Sequence, residues 1–558
     1  MKIFYLFFIY FLTYSLYAQD TYRVTYEKHS NQKKVVENNP IQILANDQET
    51  IIGTENSFDS DRIYPNEITY YKRNQANIFY SIIELDSLKT LKTLDNTSIQ
   101  KLQFKKLNDT KKILGFKAKH AQTTINSNTI DIWYVDNLNI NAAPTNVGLN
   151  LGFVLEFTRN GNFSIKASKI ENLTNIIPSK YYESAIKLNP IDQLTYKDLV
   201  WKNKFKTIPL VSNQQINFNP NSHFIENDSI YKFANGTVII RKVKLPFIDN
   251  GSQIFLDLNQ ISNGDAYDRT GSVFLIPNNK KITFLNGLEN GVDKLPLYEN
   301  GNGKKYHGVN LTKDFEPNYE LMRFFTPFGI NKFDHIQIKD KVWYKTASYR
   351  QDISEYQDLL SNKEVFIGFF IGNYDLGGHI IDANITIHNS EKQLFKNNKS
   401  LSLFNTTNVM EMAGQEYPTM FNSDKGLFVE FELKEDWKNA ILRYTTTGHG
   451  GWGNGDEFLP KINTIYLDDK NVFSLAPWRQ DCGSYRLYNP ASGNFENGLS
   501  SSDYSRSNWC PGTVTNPYYI QLGNLKAGKH TIQVKIPQGE PEGGSFSSWA
   551  ISGVLLGQ

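Results

Sequence analysis

Two short polar loops hold the residues of this chain best suited to chemistry. The first, Asn263-Gly264-Asp265-Ala266-Tyr267-Asp268-Arg269, sets two carboxylates about an aromatic ring and ends on a guanidinium. The second runs from Gly448 to Phe458 and places His449, Trp452, Asp456, Glu457 and Phe458 among glycines and an asparagine. Glycine and asparagine free the backbone for turns that other residues resist. A core helix or strand has no use for such a mixture. Farther along lies a third unusual run, Trp509-Cys510-Pro511-Gly512. In both acidic loops a carboxylate stands beside an aromatic at the entry of a strand. Aromatic faces stack on sugar rings, and carboxylates bind hydroxyls or move protons. The plainer reading makes each aspartate a turn former and Glu457 a solvated charge. Residue types alone leave the choice between a sugar-binding protein and a proton-handling site open.

Other chemistries leave no trace. The chain has no Walker loop, dinucleotide fingerprint, HExxH run or Gly-X-Ser-X-Gly elbow. A net charge of +2, with no basic cluster interleaved with aromatics, excludes nucleic acid as a partner. Cys482 and Cys510 are the two cysteines. In an oxidising compartment an isolated pair is expected to be bridged, and two cysteines without a neighbouring histidine make a poor metal set. Neither metal nor cofactor is expected.

The elements that must carry these loops read as strands. Asp131–Val135, Ser272–Ile276, Leu427–Leu433 and His530–Ile536 are apolar or alternate with period two, between Asn, Gly, Asp and Pro turns. Aromatic residues reach 13%, with 31 Tyr and 36 Phe, which also favours strands. The fold class is all-β, built as sandwiches. No solenoid or propeller repeat is present. Polar stretches divide the chain into an accessory β-rich domain at 19–210, a second domain at 211–395 and a third at 396–558. Met1-Lys2, the apolar run Ile3 to Tyr17 and the exit Ala18-Gln19 have the form of a secretory signal peptide over 1–18, implying a secreted or periplasmic protein. No later stretch approaches transmembrane length.

The second half resembles the bacterial peptide-N-glycosidase F family, which hydrolyses the side-chain amide of glycosylated asparagine and removes the N-glycan whole. That family's catalytic loop reads Asp-Glu-Trp-Asp-Arg before a strand; here the run is Asp265-Ala266-Tyr267-Asp268-Arg269. Its second loop reads Glu-Trp with Thr-Ile following, matched by Glu457-Phe458 and Thr464-Ile465. Arg-X-X-Trp-Cys-Pro-Gly is intact as Arg506 to Gly512, and Ala550-Ile551-Ser552 resembles the closing strand. The matches lie in order over residues 215–558. The N-terminal 20–210 segment resembles the extra domain of longer members.

The resemblance implies two adjacent jelly-roll sandwiches with the active site at their junction, acting as a monomer on N-glycosylated proteins or glycopeptides. Asp268 takes the principal catalytic role and Glu457 is the second carboxylate. Asp265, Tyr267, Arg269, His449, Phe458, Arg506 and Trp509 are the expected substrate-binding and positioning residues. Two departures stand out. Gly264 and Leu459 occupy positions where the family has cysteines, so the acidic loops are expected to be held by packing alone. A third family acid is replaced by Gly372, which deletes a carboxylate and predicts room for a fucose on the 3-position of the core sugar. The rival to an amidase is a secreted glycan-binding sandwich without turnover.

Overall fold

The computed structural model describes residues 20–75, 78–220, 226–227, 230–329, 331–335, 337–389, 399–450, 455–490, 501–541 and 544–558. The expected signal peptide, residues 451–454 of the glycine-rich loop and the boundary near 395 therefore lie outside the described residues. The chain forms two compact units, divided between Lys204 and Phe205. The strand Phe205–Ile216 runs through the expected 210/211 boundary, because its pairing with His379–His388 carries it into the second unit.

The first unit is a 12-stranded antiparallel sheet. Two runs of consecutive hairpins meet at the strand Asp20–Ser30, which pairs with Ile41–Ala45 on one side and Phe163–Thr174 on the other. Val24 and Tyr26 alternate inward from that strand. Asp192 caps the helix Gln193–Lys202, its Oδ1 accepting from the Thr195 amide at 2.9 Å. The helix packs through Tyr196 and Val200 on Ile83, Leu85 and Leu91.

The second unit is a pair of sandwiches. In the first, a four-stranded sheet (Phe205–Ile216, His379–His388, Gln253–Ser262, Ala347–Asp352) faces a seven-stranded sheet that includes Val238–Lys244, Glu364–Ile371, Thr270–Ile276 and Tyr319–Phe325. Leu256, Leu258 and Ile385 meet Val273, Leu321 and Ile367 between them. In the second, the sheet Lys399–Asn405, Ser548–Gly557, Trp437–His449, Tyr518–Leu525 covers Leu427–Leu433, Gly528–Lys535, Asn463–Leu467 and Lys470–Leu475. Leu427, Val429, Phe431 and Leu433 alternate into that core, as period two requires.

Tyr319–Phe325 is buried along its whole length, since the second sandwich covers the face that the first leaves open. Arg323, 1% exposed, shows the join. Its Nη2 lies 2.8 Å from Glu320, it donates to the hydroxyls of Thr407 and Thr447 at 2.8 and 3.1 Å, and it also donates to the Ala550 carbonyl. Beside it Arg443 of the second sandwich pairs with Glu355 of the first at 2.8 Å. The short strand Val514–Thr515 then crosses over to pair with Arg323 and Phe324. No helix among the described residues is long and apolar enough to cross a membrane.

Candidate active site at the sandwich junction

Each acidic loop is fixed by its own hydrogen bonds. Arg269 enters the strand Thr270–Ile276 with its amide on Thr326 Oγ1 at 2.8 Å and its carbonyl on the Thr326 amide at 2.9 Å. Asp265 accepts from the Tyr267 amide at 3.0 Å and from Arg269 Nε at 2.7 Å, with His379 Nε2 3.5 Å away. Burial pushes the Asp265 carboxyl up, but the nearby His379 ring and the hydrogen bonds and charge of Arg269 outweigh it and hold it at about 2. On the other side, buried Asp456 accepts from Trp549 Nε1 at 2.6 Å and the Gly539 amide at 3.0 Å. The Ser507 amide donates to the Glu457 carbonyl at 2.9 Å, strapping Glu457 to the segment that carries Arg506.

These bonds correct the expectation of packing alone. Aspartates inside the loops supply the anchoring that cysteines supply elsewhere. Gly264, at φ +154°, also has a local reason: a Cβ there would lie 2.4 Å from Asp375 Oδ1, the oxygen that accepts from the amides of Gly377 and Gly378.

The third segment brings the acids together. Cys482 and Cys510 are bridged, with Cα atoms 5.1 Å apart, and the backbones of Arg479 and Arg506 exchange two hydrogen bonds of 2.9 Å. So held, Arg506 turns Nη1 to 3.0 Å from Asp268 Oδ2 and 2.5 Å from Glu457 Oε1. Its Nη2 donates to the Ser501 carbonyl at 2.6 Å, and its guanidinium lies 4.2 Å from the Trp509 ring centre and 5.1 Å from that of Phe458. One cation thus serves two carboxylates that are largely but not fully buried. Burial pushes Asp268 up against the opposing charges of Arg506 and Arg269. Burial also raises Glu457; Arg506 opposes this, the Asp268 charge adds to it, and the result is about 7. With both acids ionised the trio carries one excess negative charge, and a single added proton cancels it. Burial raises both carboxyls, and the charge of each disfavours ionisation of the other.

A cavity of about 260 Å³ opens beside Asp268, lined also by Arg269, Gly372, Tyr374, Glu411 and His449. Tyr267 and Tyr374 are about half exposed and flank the Arg269 guanidinium, at 5.1 and 5.5 Å from their ring centres. His449 donates or accepts at Thr447 Oγ1 over 2.8 Å and stacks near Phe325 and Trp509. Burial and the charges of Arg323 and Arg506 push it down to about 3, so it faces the cavity as a neutral ring.

Three expected substrate-binding residues take another position. Asp265, Arg506 and Trp509 are only 1–3% exposed. Trp509 spends its indole N–H on the Gly448 carbonyl at 3.0 Å and stacks on Phe325. All three lie beneath the surface: Asp265 against Arg269, Arg506 against Asp268 and Glu457, and Trp509 against Arg506. Beside Gly372 stands a carboxylate from another segment: a Cβ at 372 would lie 3.3 Å from Oε2 of Glu411, whose Oε1 accepts from the hydroxyls of Tyr374 and Tyr417. Glu411 sits in a short turn, Glu411–Ala413, far from any motif. Its neighbours in sequence give no sign of it, and only the fold brings it to Gly372. Among the described residues no cluster of three or more His, Cys, Asp or Glu could hold a metal.

Fold and site together define a double jelly-roll protein with an acid pair on a shared buried arginine. The family model described as peptide-N-glycosidase F, N terminal, matches residues 207–387, and the model for its C-terminal part matches residues 416–556. The N-glycanase peptide N-terminal domain matches 24–198. A solved structure described as PNGF-II in space group C2 is 52% identical, with 97% of this chain and 98% of that one covered and a TM-score of 0.85. The same description in space group P21 gives 52% identity, 97% and 99% coverage and a TM-score of 0.89. The chain belongs to the peptide-N-glycosidase F family. No curated protein matches it.

Proposed function

We propose that this chain is a peptide-N4-(N-acetyl-β-glucosaminyl)asparagine amidase, releasing intact N-glycans from glycoproteins or glycopeptides and leaving aspartate. The observation that carries this reading is the meeting of Asp268 and Glu457, from different sandwiches, on Arg506. An amide is a poor electrophile and its nitrogen leaves only when protonated. A carboxylate pair holding one proton meets both needs. Asp268, at the cavity wall, orients and deprotonates the attacking water, and the pair's proton passes from Glu457, through a bridging water, to the departing nitrogen. Arg506 keeps the pair's charge from changing its geometry as the proton moves. Tyr267 and Tyr374 offer ring faces to sugar. The glycosylamine product then takes up water and loses ammonia without further help. The disulfide suits an exported enzyme, since such bonds persist in oxidising compartments.

Mass spectrometry of an N-glycopeptide after incubation with the purified protein tests the reading. Conversion of Asn to Asp is expected, falling at least about a thousandfold in Asp268→Asn. Intact glycopeptide bound but never cleaved by the unaltered protein would leave a glycan-binding sandwich instead.

The glycan preference is proposed from Gly372. The cavity space beside Gly372 receives no side chain from that position, where a Cβ would meet Phe370 at 3.1 Å and Glu411 at 3.3 Å. That space suits a fucose on the 3-position of the core sugar. Paired glycopeptides with and without this fucose should be cleaved at rates within about tenfold of each other, whereas Gly372→Glu should reject the fucosylated one. Release confined to the unfucosylated peptide would refute this preference and leave the amidase reading standing.

A further inference from the structure

The first unit contains a cavity of about 400 Å³ to which the amidase reading gives no role. Its volume falls within the roughly 300–1,000 Å³ of small-ligand clefts. Its floor is one face of the sheet edge: Ser81 pairs with Thr93 and Phe79 with Asp95, so all four point the same way as Glu67 on the next strand. Its wall is the helix Gln193–Lys202, and Asn146 closes one side.

The helix is held firmly over this floor. Gln193 Nε2 donates to the Leu94 carbonyl at 3.0 Å and Tyr196 donates to Glu67 Oε1 at 2.9 Å. In the last turn stands Trp201, 59% exposed, with Lys204 Nζ 5.2 Å from its ring centre. Tryptophan carries the largest apolar surface of any residue, and leaving most of it in water at a cavity mouth needs a reason.

The lining chemistry narrows the ligand. Lys197 and Lys204 balance Glu67 and Asp95, so the cavity attracts neither phosphate-like anions nor cations. Its remaining polar groups are amides and hydroxyls, which both donate and accept as a set of sugar hydroxyls demands. Phe79, Val200 and Trp201 supply the apolar surface that one face of a sugar ring covers. We propose that this cavity is a second carbohydrate site, taking one neutral hexose or N-acetylhexosamine residue against Trp201, with its hydroxyls on Glu67 and Gln193. The proposal stands whether or not the junction site is an amidase.

The test uses the full-length protein with ¹⁵N-labelled tryptophan, titrated separately with methyl mannoside, methyl galactoside, N-acetylglucosamine and inorganic phosphate. Loss of one indole signal in Trp201→Phe identifies Trp201. At least one sugar should shift that signal saturably with a millimolar Kd. Gln193→Ala and Lys197→Ala should each fold as the parent does, and Gln193→Ala should weaken the sugar at least about fivefold. Asp268→Asn, altered only at the junction, should leave the titration unchanged. An unmoved Trp201 signal with all three sugars overturns the proposal, as does a response to phosphate alone. A sugar response untouched by Gln193→Ala would place the sugar elsewhere and overturn it equally.

Discussion

Between Asp268 and Glu457 the guanidinium of Arg506 is shared, 3.0 Å from one and 2.5 Å from the other, and cannot neutralise both. The consequence is measurable in stability. Glu457 titrates at about 7 in the folded protein and near the ordinary glutamate value when unfolded. The folded state therefore holds the extra proton, and the associated stability is complete below about pH 4 and lost as pH rises through 7. Glu457→Gln, neutral at every pH, should escape that loss. Relative to the parent, it should gain on the order of 2–3 kcal/mol between pH 5 and pH 8. Thermal melts of both proteins at the two pH values check this; parallel pH dependence would show that Glu457 is ionised throughout. Asp268, Glu457 and Arg506 were legible because each sits in a contiguous motif. Glu411 was not, since its place opposite Gly372 is set by folding and by no local spacing.

At the scale of elements, the segment from Arg479 to Thr515 matters most. It is tied by the Cys482–Cys510 bridge, by the Arg479–Arg506 pairing and by the crossover strand Val514–Thr515. Its task is to hold Arg506 against two loops from different sandwiches. Closing a loop of this length stabilises by about 3 to 4 kcal/mol in the chain-entropy model. Cys510→Ser should lower stability by a comparable amount, and kcat for glycopeptide release should fall more than KM rises, because the acid pair loses its register while Tyr267 and Tyr374 keep theirs. Unchanged kcat in a folded Cys510→Ser protein would assign the bridge to stability alone. Period-two strands such as Leu427–Leu433 could be read from sequence because one face stays wet. Tyr319–Phe325 hides its pattern, being covered on both sides. The loop anchors escaped notice for a related reason: Asp456 looks like a surface turn residue until Trp549, from the closing strand, donates to it.

For the whole molecule, the cores decide what unfolds with what. The first unit closes its own clusters around Val24, Ile132 and Leu155 and around Ile51 and Ile82. The second has a core inside each sandwich, centred on Leu256 and Ile367 and on Leu442 and Ile532, and a third cluster around Phe274, Phe315 and Met410. Between those sandwiches, however, lies the buried Arg323 network, with partners in both. Arg443 of one sandwich and Glu355 of the other are also largely out of water, so neither sandwich can leave the other without parting an ion pair and stripping Arg323 of its bonds to Thr407, Thr447 and Ala550. Calorimetry should therefore resolve two transitions: one for the first unit and one in which both sandwiches melt together. Arg323→Met removes one partner of a buried pair and should weaken the second transition by about 3 to 5 kcal/mol, leaving the first in place. If the unaltered protein instead shows the second transition split in two, the sandwiches are separate folding units and Arg323 only decorates their contact. If Arg323→Met moves both transitions together, the two units fold as one, and the division at Lys204 is geometric without being energetic.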